Sequence, residues 1–319
     1  FIKKELSKFT PSDPHQYAYS QGTGTTDALV QLMSTASKAL DDKCMYGVQC
    51  LFIDFSKAFD LMKPDTLARK LLDMDVPVPL VRLVINFLSH RTQCVKFQDS
   101  QSGVKPSRIG VPQGTILGPA LWNVYVSDLC RHDPVVKYAD DTTIYDIVPK
   151  TSVVTTEKSG RNRQITIMNN AMQSAADSAV GWCDATNQKI NAAKTQYMLL
   201  TLQLNTTVSP PITIKGEEIT QTKSAKLLGV IIDEHLSFST HTQSIIEKTR
   251  SAVHGLLTLK RHGVQPKSLG KFYQARIVPI FTYAASAWYL LHTSILQRTT
   301  EEAPEPVSET DLPNHQFLH

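Results

Sequence analysis

The sequence is poor in cysteine. Its five cysteines (Cys44, Cys50, Cys94, Cys130, Cys183) are an odd set with no CxxC pair. That argues against a disulfide scaffold and a zinc knuckle, and it fits a reducing compartment. Long apolar runs are missing as well. The longest uncharged, mostly apolar stretch is 277–291, fifteen residues interrupted by Pro279, against the roughly 20 needed to cross a bilayer. No signal peptide opens the chain, because Lys3, Lys4 and Glu5 come at once and no apolar segment follows. Secreted and membrane-spanning classes are therefore disfavoured. The chain carries no internal repeat. Charged residues are sparse at 19%, but the 41% hydrophobic fraction suffices for a packed core. The 319 residues allow one large domain or two small ones. Phe1 in place of Met marks the chain as an expected fragment of a longer reading frame.

What charge there is lies unevenly. The net charge is +4 and the pI near 8.7, which permits a nucleic-acid partner without demanding one. Residues 240–290 hold seven Lys/Arg (Lys248, Arg250, Lys260, Arg261, Lys267, Lys271, Arg276) against Glu247 alone. Residues 291–319 hold Arg298 against Glu301, Glu302, Glu305, Glu309 and Asp311. A basic helical segment followed by an acidic, proline-containing tail predicts a boundary near 290. The tail has few core-forming residues and is expected not to fold.

Periodicity predicts mixed α and β structure. Residues 27–40 alternate apolar and polar residues at helical spacing, and 47–54 reads as a buried strand ending on Asp54. Pro64 and Pro79 each open a helix, the second with Leu80, Leu83, Val84, Phe87 and Leu88 as an apolar stripe. Short strands are expected at 94–97 and 105–109. Residues 135–138 and 142–147 flank Ala139-Asp140-Asp141 as a hairpin with acids at its tip. Met168, Met172, Ala175, Ala179 and Cys183 mark a long helix. Strands are predicted at 197–202, at 212–219 with a turn at Lys215-Gly216, and at 227–232. Helices follow at 241–262 and 266–277.

The acids carry the chemistry. Asp54 at a strand end and Asp140-Asp141 at a hairpin tip could meet on one face of a sheet. Three such carboxylates repel one another unless cations lie between them. Hard oxygen ligands of high charge suit Mg²⁺, which keeps some waters and takes phosphate oxygens into its shell. Two such ions about 3.5–4 Å apart activate a hydroxyl and stabilise a leaving pyrophosphate. Taken alone, an Asp-Asp pair in a turn is ordinary turn chemistry, and an acid after a strand is a common terminator. The ordered combination is more specific than either.

The ordered segments FIDFSKAFD (52–60), GVPQGTILGP (110–119) and KYADD (137–141) resemble the palm of reverse transcriptases from non-LTR (LINE-type, jockey-like) retrotransposons. Asn191-Ala-Ala-Lys194-Thr195 is similar to that family's Asn-x-x-Lys-Thr motif. Leu227-Leu-Gly-Val-Ile-Ile-Asp233 with Leu236 and Phe238 resembles its primer-grip hairpin. The basic helices with Tyr273, Ile277, Pro279, Tyr283 and Trp288 resemble its thumb. Gln16-Tyr-Ala-Tyr-Ser20 with Gly22, Gly24, Thr25 and Thr26 resembles the stretch before its second fingers helix. The similarity runs from residue 1 to about 290.

The resemblance implies an α+β fold: a right-hand polymerase with an antiparallel palm sheet covered by helices on one side, partial fingers and a helical thumb. Residues 1–48 would be residual fingers, 49–238 palm (with 61–109 contributing to fingers), 239–290 thumb, and 291–319 a disordered acidic tail. The implied function is RNA-directed DNA polymerase, extending a primer 3′-hydroxyl with dNTPs on an RNA template. The implied catalytic residues are Asp54, Asp140, Asp141 and Lys194. Asp54, Asp140, Asp141 and the backbone carbonyl of Phe55 would hold two Mg²⁺, with Mn²⁺ as a substitute. Phe59 would stack under the incoming sugar and clash with a ribose 2′-hydroxyl; its blander reading is a core aromatic. Gln113 and Gly114 would hold the template base and the dNTP. Lys194 would protonate the pyrophosphate. Lys137, Lys226 and the thumb lysines are expected as phosphate contacts or solvated charge. No membrane partner is implied, and the expected setting is an intracellular ribonucleoprotein, nuclear or cytoplasmic.

Two departures support a runner-up. A fingers segment with an arginine is expected to precede Phe1, and Ser20 stands where a second fingers arginine is expected. Loss of two cations facing a triphosphate would weaken dNTP binding. The alternative is thus a truncated, catalytically inactive remnant that at most binds nucleic acid.

Overall fold

Eight successive buried residues, Tyr46 to Ile53, form the centre of the fold. Side chains alternate across a strand, so burial at every position means that both faces are covered. The computed structural model describes residues 1–10, 13–157, 163–167, 171–202, 207–208 and 211–289. These divide into two compact units, Phe1–Lys223 and Ser224–His319.

In the first unit, helix α1 (Thr25–Asp41) precedes strand β1 (Met45–Ile53). The Asp27 carboxylate accepts a hydrogen bond from the Gly24 N–H (2.7 Å) and so caps the helix start. Helices α2 (Pro64–Asp73), α3 (Val78–Leu88) and α4 (Gly118–Tyr125) follow, each with proline in the opening turn, where no amide partner is lost. Then come β2 (Val135–Tyr138), β3 (Asp141–Pro149), α5 (Ala171–Thr186) and β4 (Gln196–Leu200). The four strands make one antiparallel sheet in the order β4-β1-β3-β2.

Leu51, Ile53, Val135, Ile144 and Tyr197 join a core with Leu67 and Leu71 of α2, Leu121 and Trp122 of α4, and Ala176 and Cys183 of α5. The alternate residues Val48, Cys50 and Phe52 are buried on the other face. Helix α1 also packs on β1 and buries Leu29, Leu32, Met33 and Ala36. Helical cover on one side of the sheet is therefore corrected to cover on both. The stripe expected for α3 is also rotated. Val81, Val84 and Leu88 are buried, while Leu83 and Phe87 face solvent. A helix whose only polar residues are Arg82 and Asn86 offers two plausible stripes, and packing against α2 selects one. The start of the helix expected at Met168 lies outside the described residues; its buried face holds Met172, Ala175, Ala179 and Cys183.

The second unit opens with a hairpin, β5 (Ser224–Leu227) and β6 (Val230–Asp233). Periodicity alone reads 227–232 as a single strand. Leu228 and Gly229 both adopt positive φ (+45° and +88°), which makes a two-residue turn inside it. Helix α6 (Ser239–Arg261) follows. The single helix expected over 266–277 ends at Phe272 and passes through a wider π turn, Tyr273–Ile277. Pro279 has no N–H to return to the preceding turn, a recognised cause of such a bulge. The acidic tail lies outside the described residues. Among the described residues, no helix is long and apolar enough to cross a membrane.

Candidate active site

Asp54 leaves the end of β1, and the chain is gripped there by the loop before β4. The Asp54 carbonyl accepts from the Asn191 N–H (2.8 Å), and the Ser56 N–H donates to the Lys189 carbonyl (2.8 Å). The Thr195 hydroxyl lies 3.4 Å from the Asp54 N–H and donates to the Asn191 carbonyl (2.9 Å). Phe55 sits between these bonds, opposite Ile190, so its own carbonyl is not one of the pair's acceptors. Lys194 belongs to the same Asn191-to-Thr195 turn, with its side chain exposed.

Asp140 occupies the two-residue turn between β2 and β3, where Tyr138 pairs with Asp141. Ile53 pairs with Thr142 in the neighbouring ladder, so Asp54 comes next to Asp141 at the same end of the sheet. The electrostatics agree with the register. The Asp141 carboxyl is pushed up to about 6, by partial burial first and then by the negative charges of Asp140 and Asp54. Among the described residues, no three His, Cys, Asp or Glu side chains form a ready-made metal cage. The three carboxylates lie at one end of the sheet, near enough for the charges of Asp140 and Asp54 to act on Asp141. That donor set fits a hard cation that completes its shell with water and phosphate oxygens.

Beside this end runs the loop of 110–117. The Gly110 N–H donates to the Met62 carbonyl (2.7 Å) and the Val111 N–H to the Phe59 carbonyl (3.0 Å). Gly110 has φ +81°, and a Cβ there would fall 2.7 Å from the Asp60 carbonyl oxygen. Only glycine fits. Gln113 reaches the Asp60 carboxylate at 3.5 Å. Gly114 also has positive φ (+77°), with open space around it. Phe59 is half-buried, its ring stacked on that of Trp122 (centroids 4.9 Å apart, planes at 29°).

A model of the reverse transcriptase (RNA-dependent DNA polymerase) family matches residues 1–232. The chain belongs to that family. The RNA-directed DNA polymerase from mobile element jockey of Drosophila melanogaster is 29% identical over 302 residues, 92% of this chain and 31% of that protein. The probable RNA-directed DNA polymerase from transposon BS of the same fly is 27% identical over 286 residues, 86% of this chain and 30% of that protein. The chain thus spans about a third of the length of these curated relatives. The fold is also similar to apo telomerase from Candida tropicalis truncated from its C-terminal domain (TM-score 0.47, 11% identity, 73% of this chain and 42% of that one), a likeness too distant to carry an argument.

Within this reverse transcriptase chain one expectation fails outright. Lys137 is no phosphate contact or solvated charge, being 1% exposed. Its ammonium pairs with Asp13 (2.7 Å) and donates to the carbonyls of Val126 (3.1 Å) and Leu129 (3.0 Å). An alternating strand with one lysine gives no local sign that the lysine points inward. Lys226 is exposed, as expected of a solvated charge. Sequence reasoning also passed over three residues. Arg91 ties the glutamine loop down, donating to the carbonyls of Leu88 (2.9 Å), Ile109 (3.0 Å) and Gly110 (2.5 Å). Trp122 backs Phe59 and donates its indole N–H to the Ala139 carbonyl (2.8 Å). Gln16 reaches the same turn from another segment. Each reaches a loop or turn at least 17 residues away in sequence, so no spacing rule reveals that contact.

The second unit carries the basic helices. Its hairpin is braced by the Tyr283 hydroxyl, which donates to the Leu228 carbonyl (2.7 Å). The Trp288 indole N–H donates to the Tyr283 carbonyl (3.0 Å). An open groove of about 630 Å³ is lined by Lys248, Gly255, Phe272, Arg276 and Pro279.

Proposed function

We propose that this chain is the polymerase portion of a non-LTR retrotransposon protein and extends a DNA primer on an RNA template with dNTPs. The observation that carries the reading is the convergence of Asp54, Asp140 and Asp141 at one end of the central strands, where burial first and then the charges of Asp140 and Asp54 raise Asp141. Asp54, Asp140, Asp141 and the Phe55 carbonyl are the groups that would hold Mg²⁺, or Mn²⁺ in its place. Two such ions supply activation of the primer hydroxyl and stabilisation of the leaving pyrophosphate.

The remaining roles fall to the chain's own residues. Phe59, held flat against Trp122, blocks the space a ribose 2′-hydroxyl would need and so selects dNTPs. Gly114 lets the backbone approach template base and nucleotide, with Gln113 beside it. Lys194 gives a proton to the pyrophosphate from its exposed position at the Asp54 end. In the hand-shaped description, the β1–β4 sheet is the palm, α2 and α3 belong to the fingers, and α6 with the helices after it is the thumb, whose cations take phosphates of the template–primer.

A second reading has one observation in its favour. The Ser20 hydroxyl donates to the Gln16 carbonyl (3.2 Å), so the position where the resemblance expects an arginine offers the triphosphate no cation. That reading is a remnant that binds nucleic acid without chemistry. Mg²⁺-dependent extension of a DNA primer on an RNA template, beside the Asp140→Asn, Asp141→Asn double variant, decides between them. Polymerase function predicts extension by the parent and none by the variant. A folded parent that binds template–primer yet extends nothing would establish the remnant.

A further inference from the structure

We infer that Gln16 is a positioning residue: with the Trp122 indole it grips Ala139 and so aims Asp140 at its divalent cation. The inference rests on the reading of Asp54, Asp140 and Asp141 as metal ligands. Gln16 is 3% exposed and lies 123 residues before Ala139. Its side-chain oxygen accepts from the Ala139 N–H (2.9 Å) and from the Ala18 N–H (3.0 Å). Its side-chain nitrogen donates to the Ala139 carbonyl (3.2 Å), which also accepts from Trp122 (2.8 Å). Both peptide groups flanking Ala139 are therefore fixed by buried side chains.

The carboxamide does not arrive there by accident of packing. Residues 15–17 run beside β2 as a short parallel bridge, Gln16 opposite Lys137. The Tyr17 N–H donates to the Lys137 carbonyl (2.9 Å) and the Lys137 N–H to the His15 carbonyl (2.8 Å). The buried Asp13–Lys137 ion pair holds the start of the segment, and Asn123 donates to the Ala18 carbonyl (3.2 Å) at its end. Two constraints thus bracket Gln16 on either side.

Ala139 needs this grip. It adopts φ +57°, a left-handed conformation that residues with a Cβ disfavour. Rotation of the Tyr138–Ala139 peptide, which sets that φ, would relieve the strain, and it would distort the turn that presents the Asp140 carboxylate. Hydrogen bonds to both sides of Ala139 oppose the rotation before any cation is bound. Preorganisation of this kind matters most where like charges push a ligand away, as Asp140 and Asp141 do here.

The test is a Mn²⁺ titration of the full chain, followed by electron paramagnetic resonance of free Mn²⁺, for the parent and for Gln16→Met, Trp122→Phe and Asp140→Asn. Far-UV circular dichroism and a cooperative urea transition report whether each variant is folded. Loss of an outer-shell partner typically costs 10–100-fold in metal affinity. Gln16→Met is expected to weaken Mn²⁺ binding about 10-fold and Trp122→Phe less, both with a native far-UV spectrum and a cooperative urea transition. In primer extension, kcat should fall and the Mg²⁺ requirement rise, with KM for template–primer unchanged. Folded Gln16→Met and Trp122→Phe proteins that bind Mn²⁺ as the parent does would overturn the inference alone, provided Asp140→Asn weakens binding. Should Gln16→Met not fold, Trp122→Phe decides by the same criterion. A parent that binds no Mn²⁺, or binding untouched by Asp140→Asn, overturns the metal reading and the inference with it.

Discussion

Asp141 is the residue at which electrostatics and stability conflict. Its carboxyl is pushed up from 3.8 to about 6, so the folded state holds that proton more tightly than the unfolded chain does. The sign follows. Above about pH 6 the folded protein bears the full cost of ionising Asp141, and the cost fades as pH falls towards 4. Asp141→Asn removes it. In metal-free buffer the variant should be more stable than the parent by about 1 kcal/mol at neutral pH, allowing for the solvent that screens an exposed carboxylate. The gap should close near pH 4 and narrow in millimolar Mg²⁺. Urea unfolding across that pH range checks this, and a variant less stable than the parent at neutral pH would refute it. A substitution that stabilises the fold yet removes a proposed metal ligand is the usual exchange of stability for function. At this scale the acids were readable from the sequence, because strand ends and turn tips have local signatures. Lys137 was not, since its burial depends on Asp13 and on two carbonyls that no local pattern links to it.

Among the elements, the glutamine loop shows how a backbone contact dictates sequence. Gly110 and Gly114 both have positive φ, but only Gly110 presses on another backbone segment, at Asp60. Gly114→Ala should therefore cost only the conformational term, about 1 kcal/mol. Gly110→Ala should cost about 3 kcal/mol or more, because the added methyl drives the loop off the Phe59–Met62 segment. Denaturant midpoints of the two variants measure the difference, and equal costs would mean that the loop is not held as described. The elements themselves were mostly legible. Proline-opened helices and the acid-tipped hairpin follow from local chemistry. The rotated stripe of α3 and the π turn before Pro279 were not, because one depends on which neighbour covers a face and the other on how a helix absorbs a missing amide.

For the molecule as a whole, charge is the readable property. Seven Lys/Arg against one acid in 240–290 form the expected electrostatic footprint on nucleic acid. If Lys248 and Arg276, which line the groove of the second unit, each contact a phosphate, replacing both with Gln should reduce the salt slope of RNA–DNA hybrid binding by about 2. Affinity measured over a range of salt gives that slope directly, and an unchanged slope would take the groove out of the interface. The sequence by itself determined the family, the ordered acids and most of the helices and strands, because residue type and spacing act over a few neighbouring residues. Only the tertiary structure decided that the sheet is covered on both faces, that Lys137 is buried and that Gln16 grips the turn of Asp140. Burial and hydrogen-bond partnership join residues more than a hundred positions apart, and no local pattern encodes them.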